Sequence, residues 1–130
     1  MVSPGYTTVE RMFAHLAAAD WESFGALLSP EVERIGSFGE RLQGRDAYVE
    51  FMAGDKHATF ADDQPRTTWD VHRVAYTNDG RSAFARITAH VPRGDDEMQV
   101  EQTLAYTFDE DGRISCIEVF WRDPRTPDSA

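Results

Sequence analysis

The sequence predicts an α+β domain, with helices first and an antiparallel sheet after them. Three observations carry this. Apolar residues recur at helical spacing through most of the first fifty positions, strand-like runs fill residues 67–122, and the gaps between those runs are short turn signals of the kind antiparallel hairpins need. Helices and strands segregated along the chain gather the helices on one face of the sheet.

Thr7 or Thr8 caps the first helix, because Thr-Thr-Val-Glu-Arg puts a carboxylate in its first turn. Val9, Met12, Phe13 and Leu16 form its apolar stripe, which runs to about Ala19. Asp20 caps a second, short helix with Trp21, Phe24, Leu27 and Leu28 inward, ended by Ser29-Pro30. Residues 32–42 read as a bent hairpin in which Gly36 and Gly39 relieve backbone strain at a bulge. Arg45 to Met52 returns to helical spacing, with Ala47, Tyr48, Phe51 and Met52 inward. Residues 53–66 hold no period and read as a loop. Strands follow over 67–77, 82–92, 98–108 and 114–122, divided by Asn78-Asp79-Gly80, Arg93-Gly94-Asp95-Asp96 and Asp109-Glu110-Asp111-Gly112, and their simplest topology is a meander.

A chain of 130 residues supports one hydrophobic core, so residues 1–130 form a single domain with flexible ends at 1–6 and 123–130. No apolar run approaches the roughly 20 residues that span a bilayer, so no membrane partner is expected. A net charge of −10 repels polyphosphate backbones, which argues against nucleic acid and reads as a solubility feature. Cys116 has no second cysteine to pair with, and the start lacks a basic stretch and an apolar signal segment; a reducing cytoplasm is the expected compartment.

Most motif-borne chemistries find no residues here. His15, His57, His72 and His90 are scattered without metal spacing, and no glycine-rich phosphate loop or nucleophile elbow occurs, so neither metal nor cofactor is expected. Cys116 lies in an apolar strand with no base beside it in sequence and reads as an inert thiol.

Two stretches carry a family resemblance. Ala19-Asp20-Trp21-Glu22, Leu27-Leu28-Ser29-Pro30-Glu31-Val32 and Gly44-Arg45-Asp46-Ala47 resemble the helix corner, first strand and third-helix start of SnoaL-like proteins. Phe108-Asp109-Glu110-Asp111-Gly112-Arg113-Ile114, leading to Phe120-Trp121, is similar to the last hairpin of ketosteroid isomerases, within the nuclear transport factor 2-like superfamily. The resemblance, from about Thr7 to Arg122, implies a cystatin-like cone: a curved antiparallel sheet, three N-terminal helices over one face, and an apolar cavity between them. It also implies a homodimer through the outer sheet face, and a family whose members include isomerases, cyclases, hydrolases and non-catalytic binding domains.

The family's known catalytic groups do not carry over. The ketosteroid isomerase positions for base, tyrosine and protonated aspartic acid fall on Ile35, Met12 and Leu104, leaving Glu33 as a displaced base or a solvated hairpin carboxylate. The last-strand aspartate of limonene-type epoxide hydrolases falls on Val119, although Arg86 lies near that family's arginine. Strand alternation, with the tryptophan side taken as the cavity by resemblance, sends Val119, Trp121, Gln102, Leu104 and Tyr106 inward. Met12, Phe13 and Met52 close the expected ligand wall from the helices, and a large apolar ligand is expected to bury against Trp121.

Tyr106 with Arg86 and His90 is the candidate catalytic set. The face of strand 82–92 stays open, because Ala83, Ala85, Ile87 and Ala89 oppose Phe84, Arg86, Thr88 and His90, and Asp70 and His72 raise the same question on strand 67–77. Two functions follow: an isomerase, cyclase or hydrolase acting on a hydrophobic polyketide- or steroid-like metabolite, or a non-catalytic domain that binds such a molecule or pairs with itself.

Overall fold

The computed structural model describes residues 7–54, 67–93 and 95–122. The elements are α1 (Thr8–Ala17), α2 (Trp21–Ala26), β1 (Leu28–Ile35), β2 (Arg41–Gln43), α3 (Arg45–Ala53), β3 (Thr68–Tyr76), β4 (Ser82–Arg93), β5 (Asp96–Phe108) and β6 (Ile114–Arg122). The expected loop at 53–66 falls almost wholly outside the described residues, as do the ends at 1–6 and 123–130.

The six strands form one curved, unclosed sheet in the order β2-β1-β6-β5-β4-β3. From β3 to β6 it is the expected antiparallel meander. The first strand joins it differently, lying parallel to β6 and antiparallel to β2. That pairing also shortens the second helix. It ends at Ala26, because the Leu27 carbonyl accepts from the Ile114 amide and Leu28 pairs with Ile114, so Leu28-Ser29-Pro30 belongs to β1. Pro30, which has no N–H, falls where the register shifts between Leu28 and Glu33.

The helix starts show how the layers are tied. Asp20 caps α2 as expected, its carboxylate accepting from the Ser23 amide at 3.2 Å, and that contact holds its carboxyl below the usual range. Thr7 stands before α1 without a side-chain cap bond. The Val9 amide donates instead to the Tyr76 hydroxyl of β3, which in turn donates to the Glu10 carboxylate. Burial and the neighbouring carboxylate raise the Tyr76 pKa, so the phenol stays protonated and joins α1 to the sheet's edge strand. Gly44 precedes α3 at φ 100°, a conformation that L side chains rarely adopt, so the turn from β2 into α3 requires glycine.

The core lies between the three helices and one sheet face, where Val9, Phe24, Leu28, Val32, Ile114 and Ile117 are all but fully buried. In β4 the inward set is Ala83, Ala85, Ile87 and Ala89, leaving Phe84, Arg86, Thr88 and His90 on the outer face. Phe84 is half-exposed there.

Candidate functional site

A cavity of about 80 Å³ lies between helices and sheet. Alternation along β5 and β6 brings Gln102, Leu104, Ile117 and Val119 to its floor, and the stripes of α1 and α3 bring Met12, Phe13, Leu16, Tyr48 and Met52 to its roof. Trp69, Ile87, Ala89, Val91 and Val100 complete the sheet side. Six of the expected ligand-wall residues, Met12, Phe13, Met52, Gln102, Leu104 and Val119, are therefore on the wall. Trp121 is not. Its ring meets Phe38 of the β1–β2 turn at 5.6 Å, edge to face, and it remains 37% exposed.

The polar lining is Arg34, Tyr48, Thr67 and Gln102. The sequence alone leaves Arg34 unassigned, because only the pairing of β1 with β6 fixes which face of β1 turns inward. Val32 is buried, so the residue two further along β1 faces inward with it, while Glu33 and Ile35 turn to the other face. Glu33 is thereby removed from the cavity, and its carboxylate pairs with Arg41. The Arg34 guanidinium lies over the Phe51 ring, 4.8 Å from its centroid. It also lies beside Tyr48, whose phenol burial pushes up to about 12 while the nearby cation works against that rise. The Tyr48 phenol is neutral and carries a proton that it can donate. Among the described residues no carboxylate lines the cavity and none pairs with Arg34.

The candidate catalytic set does not assemble. Arg86 and His90 lie on the outer sheet face, because the alanines and Ile87 of β4 fill the inner one. Arg86 is 3.9 Å from Glu101, beside a broad outer hollow of about 720 Å³, and His90 sits between Asp70 and Glu97. His72 also faces outward, its Nε2 2.6 Å from the Thr88 hydroxyl. Tyr106 does face inward but is packed within the core, outside the cavity lining, parallel to Phe108 at 6.5 Å. Burial raises its pKa well above the usual value, which leaves it a neutral phenol and no base. Burial likewise raises the Cys116 thiol, against nucleophilic use.

The Tyr106 hydroxyl is buried with no hydrogen-bond partner among the described residues. Removing a polar atom that has lost water and gained nothing should not destabilise the fold, so Tyr106→Phe is expected to leave stability unchanged or raise it by about 1 kcal/mol. Urea denaturation checks this, and a loss of that size instead would show that the hydroxyl is satisfied in solution.

Among the described residues no group of three or more His, Cys, Asp or Glu is placed to hold a metal ion, and no helix is long and apolar enough to cross a membrane. The fold has known counterparts. RV0760c from Mycobacterium tuberculosis, in complex with estradiol-17β-hemisuccinate, superposes with a TM-score of 0.74 at 18% identity, over 93% of this chain and 95% of that one. SalBIII, an epoxide hydrolase/cyclase-like enzyme of pyran ring formation in the polyether salinomycin, gives 0.71 at 16% identity, over 90% and 89%. A steroid delta-isomerase from Pseudomonas aeruginosa gives 0.69 at 22% identity, over 99% and 84%. At such identities the likeness is one of fold. No curated protein matches the chain. The SnoaL-like domain model matches residues 9–117, most of the chain, and with the cone, the helical roof and the cavity in place, this protein belongs to the SnoaL-like domain family.

Proposed function

We propose that the cavity binds a hydrophobic small molecule by one anionic oxygen, a carboxylate or an enolate, docked on Arg34, Tyr48 and Gln102. The observation that carries this is Arg34, a half-buried cation on an apolar wall with no acidic partner among the described residues. A buried charge is normally paired, and an anionic ligand would supply the partner that the described residues do not. RV0760c, of the same fold, is seen with a steroid hemisuccinate, an apolar ring system that ends in a carboxylate. The cavity's size sets a limit: about 80 Å³ is well below the ~300–1,000 Å³ of pockets that bury drug-sized ligands, so a multi-ring ligand enters by displacing the flexible Met12 and Met52 side chains.

The test is thermal shift and calorimetry with benzoate and with benzamide, its neutral counterpart of equal size. Benzoate should raise the melting temperature and benzamide should not. Equal shifts, or none, would remove the anion reading.

A catalytic reading is favoured by one further observation, the neutral Tyr48 phenol beside a cation. Together they would stabilise an enolate as an isomerase or cyclase requires, with the proton taken by a group of the substrate or by water. Deuterium exchange at the α-carbon of 2-tetralone, followed by proton NMR, separates turnover from binding alone. Epoxide hydrolysis is disfavoured, since Val119 offers no acid and Arg86 lies outside the cavity.

For the outer sheet face we propose self-association about a two-fold axis. It carries the exposed Phe84 and Phe120 amid mixed charges, Arg73 and Arg86 against Glu101 and Glu118, a pattern that complements itself. Light scattering at micromolar concentration should return twice the chain mass, and Phe120→Glu should return it to one.

A further inference from the structure

A hydrogen-bonded cluster of titratable groups lies outside the cavity, directly behind its wall. His90 occupies β4 opposite Thr68 of β3 and Gln99 of β5. Diagonally past those neighbours, Asp70 of β3 reaches its Nε2 and Glu97 of β5 reaches its Nδ1, each at 2.7 Å. A neutral imidazole has one N–H and one lone pair, so it satisfies one carboxylate and repels the other. Only the imidazolium donates to both.

Behind this triad, on the inner face, Trp69 is opposite Ala89, and Ala89 is opposite Val100; all three line the cavity. β3 is an edge strand, held within the sheet by β4 alone. We propose that protonated His90 is a clamp that ties β3, β4 and β5 together and thereby couples pH to the rigidity of the cavity wall. Its effect on ligand retention rests on the binding function proposed above.

The groups facing His90 are few. Glu97 also accepts from the Gln99 amide at 3.2 Å, and His72, two residues beyond Asp70, is engaged with Thr88. Glu101 and Arg86 form their own pair further along the sheet. From the inner face the neighbours are Trp69, Ala89 and Val100, none of which titrates. Loss of the His90 proton therefore leaves two carboxylates around a neutral ring with no other cation of the triad. Both carboxylates raise the His90 pKa above its ordinary value against a smaller opposing desolvation. A raised folded value fixes the sign: the clamp's contribution is complete below the unfolded pKa of about 6.5 and is lost as pH rises through the folded one. Asp70 and Glu97 are half-exposed or more, so water screens the attraction and the clamp loosens one corner of the sheet without unfolding the domain.

The experiment uses the full chain between pH 5.5 and 9. The His90 ring resonance, assigned by its loss in His90→Gln, should titrate above the free-histidine value. The melting temperature should fall and Trp69 fluorescence should change with the same midpoint, and His90→Gln should flatten both. Glu97→Gln, a milder change, should lower the titration midpoint. The dissociation constant of benzoate should rise about 3- to 10-fold across that range in the wild type and stay flat in His90→Gln, a span of roughly 1 kcal/mol. A His90 midpoint at or below the free value, or a pH dependence that survives in His90→Gln, overturns the clamp. Benzoate that binds with pH-independent affinity while the resonance and melting temperature titrate overturns the coupling to the cavity. Benzoate that fails to bind at every pH sinks the binding function instead, and the resonance and melting curves still decide the clamp.

Discussion

Arg34→Met is expected to weaken benzoate binding strongly while leaving the fold intact. Hydrogen bonds to charged groups contribute about 1.5–3 kcal/mol, so loss of the guanidinium lowers affinity on the order of 10- to 100-fold. The cost to the fold is small because Arg34 forms no ion pair among the described residues that its removal would orphan. Methionine fills similar space, and what is lost is the contact with Phe51, worth about 0.5–1 kcal/mol, and the charge beside Tyr48. Arg34→Lys keeps the charge without the planar fork and should fall between the two. Calorimetry for affinity and urea denaturation for stability separate the cases. If Arg34→Met costs several kcal/mol of stability, the arginine is part of the fold and the ligand must be sought elsewhere.

The same residue shows where the sequence is legible. Helical spacing and turn signals act locally, so α1, α3 and the β3–β6 meander can be read from the chain, and once the family resemblance chooses the cavity face, so can the wall residues Met12, Phe13, Met52, Gln102, Leu104 and Val119. The parallel pairing of β1 with β6 joins the first and last strands, and no local pattern records it. Without that pairing Leu27-Leu28 reads as the end of a helix, and the inward face of β1 stays unassigned, which hid Arg34. In β4 both alternating sets contain apolar residues, and Phe84 argues for the wrong one by its size; the structure exposes it and buries three alanines instead. Asp70 and Glu97 meet His90 from positions 20 before and 7 after it, a proximity that exists only once strand register is set.

The largest stability effect is expected at Phe24, where fold and site depend on the same contact. Phe24 is fully buried in α2, with its ring 5.5 Å from Tyr48 of α3 and 6.3 Å from Trp21, both near-perpendicular. Phe24→Ala leaves a void in a close-packed core and is expected to cost about 3–5 kcal/mol, a large share of the ~5–15 kcal/mol that holds a typical domain. The urea midpoint should fall sharply with little change in slope. Phe24→Leu keeps most of the volume and should cost less, yet it removes the ring edge that positions the Tyr48 phenol beside Arg34. Its benzoate affinity should therefore fall further than its stability alone explains, measured well below its unfolding transition. Glu110→Ala, on an exposed side chain of the turn between β5 and β6, is the control for the fold and should stay within about 0.5 kcal/mol of the parent. If Phe24→Leu weakens the fold without weakening the binding, Tyr48 is held by α3 and Arg34 alone, and the aromatic contact between α2 and α3 serves stability only.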